Sequence, residues 1–361
     1  MTLAISSFVD VPSTGNFDEP LDLSWTLDER EFLSIDLLKL LHSLLEEQLQ
    51  RELPCIRSYL VHDPWGEASL RDAVASFFSI DVEDFRVTCG AGVMSLLYTF
   101  AQIFAGNRAY IIGDVFPDFP HWASLRGSVC TTREIDGSTN AVDGHIAAAQ
   151  DSGSGILLID RPALLADDLS LQQLGELCAG VSRFGAYVLV DESYANYYPP
   201  SFSAVHLVAE FPNIAVLRGL SKAYSLGGIR IAYCVASSGL TDRLRASLAP
   251  MLVSSLSLWI ASRVLQLGDV TGPLRQQIFD MRIEVARILQ EAGLSLIRQG
   301  SSCMPHLVCG DRDGGKFLCS RGIVAKQQPF WAGEFRHLCR VSIPLSPARV
   351  KDLRCKLGKQ L

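Results

Sequence analysis

One lysine in the second half of the chain has the surroundings of a nucleophile rather than those of a surface charge. Lys222 lies within the segment 217–233, between two apolar runs and beside small residues, and a crowded, partly dry site of this kind makes an amine reactive. Arg230 follows in the same segment, and an embedded guanidinium requires an anion such as phosphate. The segment therefore predicts covalent chemistry at Lys222 next to an anion site.

An acidic residue and a glycine-rich turn precede this segment and could serve the same site. Asp191 ends the apolar run 188–190, and open α/β sheets bind their ligands at the carboxyl ends of the strands. Asp191 is equally suited to a structural role as the N-cap of the next helix. The turn 90–92 (Gly-Ala-Gly) separates a strand-like run from a helical run, and a helix N-terminus favours a phosphate. Each feature taken alone is a weak indication of function.

The elements that must position these residues alternate between short apolar runs and amphipathic stretches. The pattern predicts strands at 85–89, 109–113, 155–159, 186–190, 214–217 and 229–235, with helices at 69–78, 93–105 and 171–184 among them. This alternation is typical of a mainly parallel sheet covered on both faces, that is, a three-layer α/β/α domain.

The two ends of the chain have a different character. A helix is predicted over 31–53, and long amphipathic helices over 241–267 and 272–292 are followed by short strands. We therefore expect a smaller α+β domain that recruits the N-terminal arm. The predicted boundaries are 1–50 for the arm and first helix, 51–245 for the large domain and 246–361 for the C-terminal small domain.

Composition excludes several classes of protein. The chain has 361 residues with 32 basic and 39 acidic side chains, so its net charge of −7 argues against a nucleic-acid or anionic-membrane partner. No apolar run reaches the roughly 18 to 20 residues of a membrane span, and the N-terminus lacks the pattern of a signal peptide, so a cytoplasmic location is expected. The ten cysteines include no CxxC pair, which predicts structural thiols and no metal site.

Taken together, the segment 221–230 (Ser-Lys-Ala-Tyr-Ser-Leu-Gly-Gly-Ile-Arg) and the preceding Asp-Glu-Ser-Tyr at 191–194 resemble a known family. They are similar to the pyridoxal-phosphate enzymes of the aspartate aminotransferase superfamily, class I/II, nearest the branch of histidinol-phosphate aminotransferase and threonine-phosphate decarboxylase. The resemblance implies that Lys222 forms the Schiff base and moves the proton at the substrate carbon. It implies that Asp191 pairs with the pyridine nitrogen, and that Tyr194 donates to the phenolic oxygen of the ring.

The same resemblance implies roles for residues elsewhere in the chain. The phosphate group would bind the backbone amides of Ala91 and Gly92 together with Ser221 and Arg230. Phe119 matches the aromatic residue that stacks on the cofactor ring. Near the C-terminus, Arg340 occupies the position that grips the α-carboxylate of the substrate, with Arg336 as the alternative if the register is shifted.

Two positions depart from the family pattern. Leu164 falls where relatives carry an Asn that donates to the phenolic oxygen, so one hydrogen bond is lost and Arg161 either replaces it or binds a substrate group. Tyr59 precedes the usual position of a Tyr that reaches the phosphate of a neighbouring subunit. These departures predict retained cofactor chemistry with an altered substrate or reaction outcome.

The resemblance leaves more than one function open. It favours an aminotransferase acting on an L-amino acid as a homodimer; the alternative is a decarboxylase, a β- or γ-eliminating enzyme or a cyclising enzyme of a specialised biosynthetic pathway. A third reading, a non-catalytic regulatory module, is disfavoured because no DNA-binding segment accompanies the site. Several residues are candidates for contacting the substrate side chain, but their spacing does not indicate which chemical group they bind. They are Arg161, His121, Trp122, Lys326 and His306.

Overall fold

Seven strands between residues 86 and 236 form one continuous sheet at the centre of the molecule. The computed structural model describes residues 19–26, 28–52, 59–133, 141–165, 167–297, 303–327 and 338–358. The strands of the central sheet are β2 (Arg86–Gly90), β3 (Arg108–Ile112), β4 (Cys130–Arg133), β5 (Ser154–Asp160), β6 (Tyr187–Asp191), β7 (Ile214–Gly219) and β8 (Ala232–Ala236).

The spatial order of these strands is β2-β8-β7-β6-β5-β3-β4. The pairs from β4 to β7 are all parallel, whereas β8 runs antiparallel to both of its neighbours. The predicted mainly parallel sheet is therefore confirmed. The register places Asp160 beside Asp191 at the carboxyl ends of β5 and β6, so the edge of the sheet where parallel strands end carries two neighbouring carboxyl groups.

Helices cover both faces of this sheet because its strands are apolar on both sides. In β5, Leu157 and Ile159 belong to one buried cluster, while Ile156 and Leu158 belong to the other. The helices are α1 (Leu37–Gln50), α2 (Glu67–Phe78), α3 (Val93–Ile103), α4 (Asp118–Leu125), α5 (Ala141–Asp151), α6 (Leu171–Ser182), α7 (Ser238–Ser247), α8 (Ser255–Gln266), α9 (Gly272–Glu291), α10 (Gly314–Ser320) and α11 (Pro347–Gly358).

Two helix predictions were wrong in their bounds. The helix expected over 31–53 begins at Leu37, because the Asp36 side chain accepts a hydrogen bond from the backbone N–H of Lys39 and caps the first turn. The helix expected over 241–267 is two helices, α7 and α8, separated by residues 248–254. Pro250 lies in this connection, where its missing N–H and fixed φ interrupt helical hydrogen bonding.

The C-terminal residues build a second, smaller sheet that faces the first. Strands β11 (Lys326–Gln327), β12 (Cys339–Ser342) and β9 (His306–Cys309) are antiparallel in that order. The N-terminal β1 (Leu21–Asp22) pairs with β10 (Ile323–Val324), so the arm joins the C-terminal part as expected. The domain boundaries themselves stay a prediction.

The described helices and cysteines bear on two further expectations. None of the described helices combines the length and the apolar character that crossing a lipid bilayer requires. Five cysteines are buried thiols, and burial raises the pKa of Cys178, Cys309 and Cys339 to about 12. The other two buried cysteines are Cys89 and Cys234. These thiols contribute packing rather than reactivity.

Candidate active site

A cavity of about 310 Å³ lies between the carboxyl edge of the central sheet and the three-stranded sheet. This volume is within the usual range of small-molecule sites. The residues that line it are Trp25, Gly92, Val93, Met94, Leu97, Asp114, Val115, Phe116, Asp160, Pro162, Leu164, Asp191, Ser193, Tyr194, Gly219, Ser221, Lys222, Gly227, Arg230, Met304, His306, Lys326 and Arg340.

Lys222 enters the cavity from the loop that follows β7. The loop folds back on itself, since the Ser225 N–H donates to the Lys222 carbonyl at 2.7 Å and the Leu226 N–H donates to Leu220 at 3.2 Å. The Lys222 Nζ lies 5.0 Å from the centre of the Tyr194 ring and 5.7 Å from that of Trp25. These two cation–π contacts restrain the amine, and Lys222 is only partly exposed.

Asp191 lies at the bottom of the cavity, at the end of β6. Its side chain is 5% exposed, and its Oδ1 accepts hydrogen bonds from the Ser193 N–H at 2.8 Å and the Ser193 Oγ at 2.6 Å. Burial raises the pKa of Asp191, against the opposing effects of these hydrogen bonds and of the Lys222 charge. The N-cap alternative is not what is observed, because a short turn and not an α-helix follows β6.

Tyr194 and Arg340 connect the two walls of the cavity. Arg340, on β12, is 4% exposed and donates from Nη1 to the Tyr194 hydroxyl at 3.2 Å and from Nη2 to the Ser24 carbonyl at 3.3 Å. Burial alone would raise the pKa of Tyr194, but the nearby cations of Arg340 and Lys222 outweigh it and the net shift is downward. The Arg340 Nε is buried without a hydrogen-bond partner among the described residues, so it can donate to an anion in the cavity.

The turn at 90–92 and Arg230 form the third side of the cavity. Gly92 has φ +81°, and a Cβ at this position would collide with the Arg230 guanidinium, so only glycine fits here. Arg230 donates to the Ala91 carbonyl at 3.1 Å and to the Gly227 carbonyl at 3.0 Å. The N-terminus of α3 and this guanidinium point to the same end of the cavity, an arrangement that suits a phosphate. Ser221 lines the same cavity.

A second pair of basic side chains lines the wall formed by the small sheet. Lys326 on β11 pairs in register with Arg340 on β12 and is 6% exposed. Burial, with Arg340 and Lys222 nearby, lowers the pKa of Lys326 to about 7. His306 on β9 is 1% exposed, and burial beside these cations lowers its pKa well below the usual value. His306 is therefore neutral near pH 7, and Lys326 is the group on this wall whose charged form an acidic ligand would favour.

Leu164 lies at the cavity within an apolar cluster. It packs with Met304, Val308 and Leu338, of which Met304 also lines the cavity. The side chain at the position of the family Asn is therefore part of a hydrocarbon surface. This observation agrees with the expected loss of one polar contact.

The structure places three individual side chains differently from the sequence interpretation. Phe119 is 1% exposed inside a core cluster and does not line the cavity, whereas Phe116 does. Arg161 points to the opposite face of the sheet and is 3% exposed, because it pairs with Glu192 at 3.5 Å and bonds the Leu169 and Phe202 carbonyls. Arg230 is exposed and is held by carbonyl groups rather than buried.

The remaining candidates divide into three groups. His306 and Lys326 line the cavity, whereas His121 and Trp122 do not, and the Trp122 ring packs against Tyr98 instead. Tyr59 is 86% exposed and does not line the cavity of its own chain. Its role toward a neighbouring subunit stays a prediction. The alternative Arg336 lies outside the described residues.

Sequence reasoning missed two groups at the cavity that the topology brings together. Asp160 ends β5 next to Asp191, and Trp25 comes from the N-terminal arm to within 4.4 Å of the Lys326 Nζ, measured to the ring centre. The signal for Asp160 was available, since it ends an apolar strand as Asp191 does. The position of Trp25 depends on pairing between the two ends of the chain, which no local pattern announces.

Comparison with known proteins finds both similar sequences and similar folds. The family model described as aminotransferase class I and II matches residues 44–327. A histidinol-phosphate aminotransferase of Pyrococcus furiosus is 26% identical over 288 residues, covering 78% of this chain and 79% of that protein. The crystal structure of a histidinol-phosphate aminotransferase from Clostridium acetobutylicum has a TM-score of 0.75 at 15% identity, covering 94% of this chain and 98% of that one. An L-threonine-O-3-phosphate decarboxylase from Porphyromonas gingivalis has a TM-score of 0.71 at 18% identity, with the same coverage.

Proposed function

Because the chain belongs to the class I and II aminotransferase family, we propose that it binds pyridoxal 5′-phosphate and transfers the amino group of an L-amino acid through Lys222. The observation that carries this proposal is the placement of the Lys222 amine, the Asp191 carboxyl group and the Arg340 guanidinium around one cavity. The similarity to histidinol-phosphate aminotransferases confirms the expected branch of the family.

The residues of the cavity fit this cofactor. Gly92 leaves the space that a Cβ would fill, and it does so beside the Arg230 guanidinium and the N-terminus of α3, which suits the phosphate group. Asp191 lines the cavity, where its carboxylate could accept a hydrogen bond from a protonated pyridine nitrogen, and the Lys222 amine lines the same cavity. When bound, the cofactor supplies an electron sink for negative charge at the substrate α-carbon.

We assign the following work to the side chains of this chain. Arg340 would bind the α-carboxylate of the substrate with its planar guanidinium. Lys222 Nζ would remove the proton from the substrate α-carbon and, in transamination, deliver that proton to the cofactor carbon bonded to the amino nitrogen. Asp191 keeps the pyridine nitrogen protonated. Tyr194, whose pKa is lowered, holds a hydrogen bond to the phenolic oxygen, and the aromatic and apolar walls exclude water.

The apolar surface at Leu164 supports a second candidate function. Loss of a donor to the phenolic oxygen would alter the electronic properties of the bound cofactor, and the same residues could also serve a decarboxylation, an elimination or a cyclisation. A test that separates these outcomes is a single turnover with a panel of L-amino acids. Transamination predicts stoichiometric aminated cofactor and a 2-oxo acid. Release of carbon dioxide or ammonia without aminated cofactor supports the second candidate.

We expect Arg340→Lys to raise the KM for the amino-acid substrate by about 10- to 100-fold while changing kcat less. The lysine keeps the positive charge but loses the paired, planar contact with a carboxylate. The measurement is steady-state kinetics with the substrate identified by the panel. Arg354→Lys, on the exposed end of α11, is the control and should leave both constants unchanged. A 10- to 100-fold fall in kcat with an unchanged KM would contradict the assignment of Arg340 to the substrate carboxylate.

The charge at Lys326 predicts a dependence on pH for substrates with an acidic side chain. Lys326 has a pKa of about 7, so it is charged below that pH and loses its charge above it. We expect the KM for an acidic substrate to rise, relative to that for an apolar one, as the pH increases through about 7. In Lys326→Met this ratio should be flat with pH, and an unchanged pH profile in the variant would exclude Lys326 as the cause.

Two further expectations belong to this proposal. A homodimer in which Tyr59 reaches the phosphate of the partner is supported by the 86% exposure of that side chain and by its absence from its own cavity. The proposed location is the cytoplasm, which suits the reduced state of the buried thiols. Sedimentation of the purified protein tests the first of these.

A further inference from the structure

The carboxyl groups of Asp160 and Asp191 form a pair at the bottom of the cavity. They end adjacent parallel strands and are direct partners in the register of β5 and β6. Register partners in a sheet project to the same face, and both residues line the cavity. The residues that follow them, Arg161 and Glu192, point to the other face and pair there at 3.5 Å.

The hydrogen bonds around the two groups are unequal. Asp191 receives two donors from Ser193 on one oxygen. Asp160 receives the backbone N–H of Phe116 on Oδ2 at 3.0 Å, while its Oδ1 is buried and has no hydrogen-bond partner among the described residues. A buried carboxylate oxygen without a donor is costly, whereas a carboxylic acid needs a nearby acceptor instead.

The charges around the pair are unequal as well. Asp160 faces the carboxyl groups of Asp191 on β6 and Asp114 beyond β3, and burial together with these two neighbours raises its pKa well above the usual value. Asp191 faces Lys222 from the loop after β7, which favours its charged form, and Glu192, which opposes it. The negative charge therefore belongs on Asp191 and the proton on Asp160.

We infer that Asp160 and Asp191 share one proton and act as a singly charged pair, in which Asp160 sets how strongly Asp191 holds the proton of the pyridine nitrogen. One net negative charge matches one positively charged ring nitrogen, whereas two ionised carboxylates would leave an excess. Asp160 is thus a positioning residue that acts through Asp191. The inference rests on the proposed function only in assigning the pyridine nitrogen to Asp191.

The first test uses the full chain without cofactor. Asp160→Asn keeps the shape of the side chain and imitates its protonated form. A carboxyl group whose pKa is higher in the folded state stabilises the fold below its unfolded pKa of about 4 and loses that contribution as the pH rises toward the folded value. We expect the folding equilibrium constant of the wild type, relative to that of Asp160→Asn, to fall about tenfold per pH unit within this window.

Asp167→Asn is the matched control for this measurement, since it removes an exposed carboxylate from the loop after β5. Chemical denaturation across the pH range should show the wild-type slope in this control. Identical slopes in the wild type and in Asp160→Asn would overturn the inference, because they would mean that Asp160 does not hold a proton in the folded protein.

The second test uses the holoenzyme loaded with pyridoxal 5′-phosphate that carries ¹⁵N in the ring. The chemical shift of this nitrogen reports whether it is protonated, independently of activity. We expect Asp160→Asn to keep the protonated signal at neutral pH but to lose it at a lower pH than the wild type, because its pair cannot gain a second negative charge. An unchanged titration of the ring nitrogen would overturn the role of Asp160.

The same spectrum distinguishes a wrong assignment of Asp191 from the absence of a shared proton. Asp191→Asn should lose the protonated signal at neutral pH. If it keeps that signal, the assignment of Asp191 in the proposed function fails, whatever Asp160 does. If Asp191→Asn loses the signal while Asp160→Asn behaves as the wild type in both tests, the proposed function stands and only the shared proton is refuted.

Discussion

Lys222→Ala is expected to lower the turnover of the amino-acid substrate by at least about 10³-fold, the upper part of the range for removing a positioned acid–base group. The amine has two tasks at this site, covalent attachment of the cofactor and proton movement at the α-carbon, and alanine supplies neither. Water cannot replace it efficiently, because the amine lies between the Tyr194 and Trp25 rings. The measurements are single-turnover kinetics and the absorbance of the bound cofactor.

Two comparisons make this result specific to Lys222. Lys316→Ala removes an amine that is 79% exposed on α10 and should leave turnover and absorbance unchanged. Borohydride reduction followed by peptide mapping should locate the cofactor on the peptide that contains residue 222 in the wild type and find no attachment in Lys222→Ala. A variant that keeps the wild-type absorbance and turnover would refute covalent chemistry at this lysine.

The parts of the fold that the sequence predicts well are those set by local pattern. Strands β3, β5, β6 and β7 appear within one or two residues of the predicted ends, because their apolar runs must be buried on both faces. Asp191 is identified as the acidic residue that ends a buried strand, and Lys222 as a cation between two apolar runs. A residue that ends a buried strand must lie at the edge of the sheet.

The errors arose where side-chain direction decides the outcome. Arg161 was assigned to the cavity, but it follows Asp160 directly, and successive side chains in a strand point to opposite faces. Phe116 and Phe119 lie three residues apart where β3 gives way to α4, and the entry angle of that helix determines which ring faces the cavity. Residue type alone does not tell which face of the sheet a side chain at the end of a strand points to, nor the angle at which the next helix begins.

The side chains on the far face of the sheet form a buried cluster that fixes three strand ends. Glu192 is fully buried and accepts from Arg218 Nη1 at 2.9 Å, from Arg161 Nη1 at 3.5 Å and from the Ala204 N–H. These residues follow or end β5, β6 and β7, the strands that lead to Pro162, Asp191 and Lys222. The cluster therefore stabilises, on the far face of the sheet, the strand ends that lead to the cavity.

Removing the Glu192 carboxylate deprives the buried Arg161 and Arg218 guanidinium groups of their ion-pair partner, although the Asp168 charge still acts on Arg161. We expect Glu192→Ala to lower the free energy of unfolding by about 3–5 kcal/mol, the range for breaking a buried ion pair from one side. Glu192→Gln should cost less, because the amide oxygen keeps a hydrogen bond to Arg218, which is 1% exposed and has no access to water. Chemical denaturation of the full chain measures both values.

Glu176→Ala is the control, since this residue is exposed on α6, and it should change the free energy of unfolding by no more than about 0.5 kcal/mol. If Glu192→Ala were as mild as that control, the two arginines would have to be stabilised by their carbonyl and aromatic contacts instead, and the cluster would not be what fixes the three strand ends.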